Sequence, residues 1–331
     1  MNRPLRRRVL SAAVALAACT ALPFASSSAF AQTAGKPKVA LVMKSLANEF
    51  FLTMENGAKD YQAHNSSQFD LITNGIKDET DTAAQIRIVE QMIVSKVNAL
   101  VIAPADSKAL VPVIKKAADA GIIVVNIDNR LDPDVLKSKD LNVPFVGPDN
   151  RKGAQKVGDY LAKKLKAGDE VGIIEGPSND LNARQRTLGF KETMNAAGMR
   201  IANTASGDWT VASGKSVALQ MLYAHPDVRG LLCANDNIAM GAIDAIRIAG
   251  KKGRVLVTGY NNIDAVQPML DDGRLLATVE QFGARQAVFG VDVAVKALLE
   301  KRRQRDLSPY METPVQLVTK AQAKGFRFGA S

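Results

Sequence analysis

Cysteine and histidine are nearly missing from this chain of 331 residues, which carries two of each. Cys19 falls in an N-terminal leader, so Cys233 alone remains for the mature protein. That excludes a disulfide framework and a cysteine metal site. Cys233 lies in the apolar run 230–234, where a thiol is expected to be buried and inert rather than nucleophilic. His64 and His225 fall near the ends of helical segments that precede later strands, the far side of a sheet from where ligands bind. No histidine triad or zinc centre is expected. Gly-x-Gly-x-x-Gly after a strand and Gly-x-x-x-x-Gly-Lys-Ser/Thr are both absent, which removes the dinucleotide and P-loop signatures. Aspartates and glutamates could serve a glycosidase, but no pair is marked out. The expectation is a protein without catalytic residues, metal or cofactor.

Long apolar runs are scarce too. The stretch from Val9 to Ala25 is broken by Ser11, Thr20 and Pro23 and is marginal for the roughly 20 residues of a membrane span. Arg3, Arg6, Arg7 and Arg8 precede it without an acid, and Ala29-Phe30-Ala31 before Gln32 fits a small-x-small cleavage site. Residues 1–31 therefore read as an export signal, with the periplasm as destination. Leu16-Ala17-Ala18-Cys19 leaves open a lipid tether on Cys19, and Arg6-Arg7 leaves open a twin-arginine route. Loss of the leader lowers the net charge from +10 to +6. The remaining basic residues are spread among acids, as in 302–306 (RRQRD), a solvated surface rather than a nucleic-acid stripe.

About 300 mature residues exceed what one core serves, so two domains are expected. Strand candidates are 38–43, 69–73, 99–103, 122–127, 170–174, 230–234, 255–259 and 277–279. Their continuous hydrophobicity indicates burial on both faces, as in parallel sheets. Between them Phe51, Met54, Ala58 and Tyr61 share a helix face. So do Ile86, Val89, Met92 and Ile93, after a cap at Asp81 or Thr82. Repeated βα units define a doubly wound α/β fold. A faint echo between 99–107 and 230–237, each a strand running into a polar turn, suggests two similar lobes.

Ligands of open α/β sheets bind beyond the carboxyl ends of the strands. Those positions hold Lys44, Asn48, Phe50, Phe51, Asp106, Asp128, Asn129 and Arg130. In the second half they hold Arg186, Trp209, Asn235, Asp236, Asn261, Asn262 and Gln281. A sugar needs such a set: planar groups with several hydrogen bonds for its hydroxyls, and aromatic plates for its C–H faces. Each residue has a plainer reading. One phenylalanine could be core, Trp209 could seal a surface, Asn235 could cap a helix, and Asp128 could shape a turn.

Six stretches in order resemble the periplasmic ribose-binding-protein family, the type I sugar-binding proteins of ABC importers. They are 39–51 (VALVMKSLANEFF), 126–128 (NID), 183–190 (ARQRTLGF), 224–228 (AHPDV), 234–242 (ANDNIAMGA) and 272–281 (DGRLLATVEQ). The resemblance runs from Lys38 to about Lys320. It implies two Rossmann-like lobes with parallel sheets, 36–148 with 282–312 and 149–281 with 313–331, joined by a three-segment hinge. It places ligand contacts on Asn48, Phe50, Phe51, Asp128, Arg186, Trp209, Asn235 and Gln281. A phenylalanine is usual where Trp209 stands. Lys44 is similar to a sugar-contacting lysine of the arabinose-binding branch. Three positions depart from ribose binders: Ala103 replaces an asparagine, Asn129 an arginine and Asn261 an aspartate. Another pentose, a hexose or an acyclic polyol fits the altered edge equally well.

The expected partners are a monosaccharide or polyol, a membrane permease of an ABC importer and, as an alternative outlet, a chemoreceptor for a sugar-like signal. A monomer is expected. Related repressors carry an N-terminal helix-turn-helix where this chain has its leader. A secreted carbohydrate-active enzyme is the more distant alternative.

Overall fold

The computed structural model describes residues 35–326; the leader at 1–31 and Cys19 lie outside them. From Lys38 onward, short strands alternate with helices. The first run is β1 (Lys38–Ser45), α1 (Glu49–His64), β2 (Asp70–Ile76), α2 (Thr82–Val94), β3 (Ala99–Ile102), α3 (Val111–Asp119), β4 (Ile123–Ile127), α4 (Pro133–Ser138) and β5 (Phe145–Pro148). The second is α5 (Asn150–Ala162), β6 (Glu170–Glu175), α6 (Leu181–Ala196), β7 (Arg200–Ser206), α7 (Val211–Ala224), β8 (Val228–Cys233), α8 (Asp236–Ile248), β9 (Leu256–Thr258), α9 (Gln267–Asp272) and β10 (Ala277–Glu280). The chain then returns through α10 (Gly283–Leu299), β11 (Tyr310–Thr313), β12 (Gln316–Thr319) and α11 (Lys320–Phe326).

Two sheets form, ordered β11-β5-β4-β3-β1-β2 and β12-β10-β9-β8-β6-β7. Each strand sequence follows the same winding, so the chain builds one α/β lobe and then repeats it. The echo between 99–107 and 230–237 lies at β3 and β8, the third strands of the two windings. Among the described strands every pairing is parallel except β10 with β12, an antiparallel edge that the apolar pattern did not announce. The central strands β3 and β4 are buried throughout, which is why they read as unbroken apolar runs. Helices α1 and α10 pack together and cover the first sheet, and α5 with α6 covers the second. The chain passes between the lobes three times, between Pro148 and Asn150, between Glu280 and Gly283, and between Thr313 and Gln316.

Side-chain caps start the helices that matter for the cleft. Asn48 Oδ1 accepts from Phe50 N at the head of α1. Asp81 accepts from Ala84 N at α2, the capping expected there. Asp180 Oδ1 accepts from Asn182 N and Ala183 N at α6, and Asn235 Oδ1 accepts from Ile238 N at α8. Each satisfies donors that the helix itself leaves open. Cys233 is fully buried in β8, and burial pushes its thiol well above its ordinary value. Among the described residues no helix is long and apolar enough to cross a membrane. Nor do these residues hold a group of three or more His, Cys, Asp or Glu side chains able to bind a metal.

Candidate ligand-binding site

The carboxyl ends of both sheets face one another across a cleft, and the side chains there close around a single small cavity. From the first lobe come Lys44 at the end of β1, Asn48, Phe50 and Phe51 at the start of α1, Glu79 after β2, and Asp128 after β4. From the second come Asp180, Asn182 and Arg186 at the start of α6, Trp209 before α7, Asn235 before α8, and Asn261 after β9. They enclose about 20 Å³, the room of roughly one water. The walls as they stand leave less room than a sugar fills.

Lys44 holds the two walls together. Its ammonium donates to Asp180 Oδ2 across the cleft at 2.9 Å and lies 3.2 Å from Glu79 Oε2 on its own side. Burial works against the charged amine, but the carboxylates of Asp180, Glu79 and Asp128 outweigh it and raise its pKa. For the acid the sign is reversed: burial raises Glu79, against the pull of Lys44 and of the Asn48 amide, which donates to Glu79 Oε1 at 2.6 Å. The same ammonium lies 5.5 Å from the ring centroids of both Phe51 and Trp209, one aromatic from each lobe. Phe50 meets Phe51 edge to face at 5.3 Å.

Arg186 is the best-braced group. Its Nε donates to Asn150 Oδ1 at 2.7 Å and its Nη1 to the Ala234 carbonyl at 2.8 Å. The guanidinium stacks 3.8 Å above the centroid of Tyr260 and lies 5.7 Å from that of Trp209. Asn150 also donates to Asn182 Oδ1, and Asn182 Nδ2 reaches across to the Asp128 carbonyl. Trp209 stands in the left-handed region, φ +65°, which a bulky residue rarely adopts. Asn235 holds it there by donating Nδ2 to the Trp209 carbonyl at 3.0 Å. Asn235 is thus both the cap of the plainer reading and a wall residue. Asp236 fixes the strand-end loop that carries Asn261, accepting from Ile263 N and from Thr278 Oγ1.

Of the residues expected at the site, Lys44, Asn48, Phe50, Phe51, Asp128, Arg186, Trp209, Asn235 and Asn261 meet at the cavity. Asp106, Asn129 and Gln281 do not. Asp106 is spent on backbone amides of Lys108 and Ala109 and on Asn179 Nδ2 of the opposite lobe, which makes it a rim contact. Asn129 lies one layer deeper, donating to the Pro104 carbonyl and accepting from Asn182 N. Gln281 stands behind Asn261 and donates to its Oδ1 at 2.7 Å. Glu79, Asp180 and Asn182 line the cavity without having been singled out. Asp180 was legible as a helix cap two residues before 182–186; Glu79 sits in a polar turn with no distinguishing signal.

Asp128 is buried, and burial pushes its carboxyl up to about 7 despite the nearby cations Lys44 and Arg186. Between the ordinary 3.8 and about 7 the folded form binds more protons here than the unfolded chain. This group's contribution to stability is therefore present at acid pH and lost as pH rises through 7. Asp128→Asn is expected to flatten that decline when melting temperature is followed from pH 5 to pH 8. An unchanged slope would show that Asp128 does not titrate in this window.

A family model described as a periplasmic binding protein domain matches residues 39–302. The chain belongs to this family, in the group of ribose-binding proteins, which are solute carriers and not enzymes. It is 61% identical over 96% of its length, and 99% of the relative's, to a D-ribose/D-allose-binding protein of Pseudomonas aeruginosa. It is 32% identical, over 82% of this chain and 86% of the other, to the D-allose-binding periplasmic protein of Escherichia coli. A crystal structure of an ABC transporter solute-binding protein from Burkholderia multivorans, with an unknown ligand drawn as alpha-D-erythrofuranose, superposes with a TM-score of 0.85 at 71% identity. That match covers 86% of this chain and all of the other.

Proposed function

We propose that this chain captures an aldose of the ribose and allose configuration between its lobes and hands it to the membrane permease of an ABC importer. Residues 1–31 direct its export, and 36–148 with 282–312 closes as one body on 149–281 with 313–331. The observation that carries the reading is the composition of a cavity reached by both lobes. Phe51 and Trp209 come from opposite walls, and Asn48, Asp128, Arg186, Asn235 and Asn261 supply planar donors and acceptors around them. Hydroxyls that each donate and accept hydrogen bonds are matched by such groups, and C–H faces by the rings. D-ribose and D-allose share the same run of hydroxyl configurations and differ by one hydroxymethyl group, so one polar edge serves both. The names of the relatives at 61% and 32% identity point to this pair. Each copy carries every group of the site, so a monomer suffices.

The test is a melting-temperature panel of D-ribose, D-allose, D-arabinose, D-glucose and myo-inositol. At a hundred times its Kd, a ligand of the native state stabilises by about 2.7 kcal/mol. D-allose and D-ribose are expected to raise the melting temperature by several degrees. No response to any of the five would sink the proposal.

A further inference from the structure

The wide aromatic plate of the second lobe has a seat cut for it in the backbone. Gly176 follows β6 directly and is buried, and its φ is outside the left-handed region, so its backbone conformation does not demand glycine. Its neighbour does. A Cβ built on Gly176 would lie no more than 2.5 Å from Cε2, Cζ2 and Cη2 of the Trp209 indole. Carbon atoms in contact sit about 3.5–4.0 Å apart, so the overlap is of the order of 1 Å. Neither partner can yield easily. Ser206 Oγ donates to the Gly176 carbonyl, and Gly207 N donates to the Glu175 carbonyl beside it. Trp209 is held at positive φ with its own carbonyl tied to Asn235, and its ring lies near Lys44 and Arg186 on the cavity side.

We infer that Gly176 is a positioning residue for sugar binding: by lacking a side chain it lets the Trp209 indole sink to the depth at which the ring faces the ligand. A methyl group there pushes the indole toward the cavity, where a guest needs the space. The inference rests on the proposed sugar site.

The experiment is a double-mutant cycle on the full mature chain with Gly176→Ala, Trp209→Phe and both together. Each variant is followed by calorimetric titration with D-allose and, without sugar, by thermal melting. Gly176→Ala is expected to weaken D-allose roughly 10- to 100-fold through overpacking. It should also shift the emission of Trp209, the single tryptophan of the chain. In the Trp209→Phe background, where the smaller ring leaves room, the same change should alter affinity less than about threefold and leave the melting temperature unaltered. If Gly176→Ala does not fold but the double variant folds and binds like Trp209→Phe, the clash with the indole is established. Equal losses in both backgrounds, or parent-like binding and emission in Gly176→Ala, overturn the inference. Should the parent itself bind no sugar, the proposed function fails, while the melting cycle still reads whether Gly176 and Trp209 are coupled.

Discussion

Arg186→Ala is expected to cost the largest share of sugar affinity of any single change at the site. The guanidinium is 3% exposed and sits on the wall of the cavity, braced by Asn150, the Ala234 carbonyl and the face of Tyr260. Truncating a buried, hydrogen-bonded charge costs roughly 2–5 kcal/mol, or about 30- to several thousand-fold in Kd. Part of that is the penalty on what remains: Arg186 is one of the two cations that draw the buried Asp128 carboxyl down, and its loss leaves that acid harder to ionise. Arg186→Lys is expected to rescue little, because an ammonium can neither bridge Asn150 and Ala234 in one plane nor stack on Tyr260. Titration calorimetry with D-allose checks both variants. A lysine variant within threefold of the parent would mean that charge alone, not the planar fork, is what the ligand meets.

Lys44→Met is expected to act differently, on closure rather than on fold. In the closed form it would leave Glu79 and Asp180 buried near one another with their shared cation gone, a change worth about 3–5 kcal/mol where one partner of a buried pair is deleted. Once the lobes part, water reaches both acids. The sugar-free protein should therefore melt close to the parent temperature, while affinity falls about 100-fold or more. The defect should shrink toward pH 5, where Glu79, already raised by burial, takes up a proton more readily. Small-angle scattering at saturating sugar would show whether compaction survives. Parent-like affinity at pH 8 would remove Lys44 from any part in holding the lobes shut.

The central strands were readable because burial on both faces leaves no alternation to confuse. Four strands were not. β7 (RIANTAS) has no fully buried residue; β5 is four residues long and ends at Pro148; β11 and β12 lie at the edges of their sheets. Edges need little apolar signal and give little. The same distinction runs through the cleft. Residues that directly follow a central strand or open the next helix could be picked out by position, as Lys44, Asp128, Asn235 and Asn261 were. Phe50 and Phe51, adjacent in a helix, were both placed at the ligand with one of them open to a core role, and both reach the cavity from the first turn of α1. What the linear order conceals is depth and partnership. Asn129 and Gln281 occupy the right ends of the right strands but lie a layer behind the wall. Nothing local says that Asp180, 136 residues away, will meet Lys44. Nor does Gly176 advertise that it was emptied for a ring 33 positions downstream.

Cys233 closes the account from an unexpected side. Among the described residues it is the one cysteine, sealed inside β8 and with its ionisation suppressed. Alkylating reagents attack the thiolate, so the native protein offers them almost no background. A cysteine introduced at the rim of the cleft, for example at the half-exposed Asp106, would take up an environment-sensitive dye alone. The protein is thereby ready to become an optical gauge of its own ligand, with no thiol among the described residues to remove first.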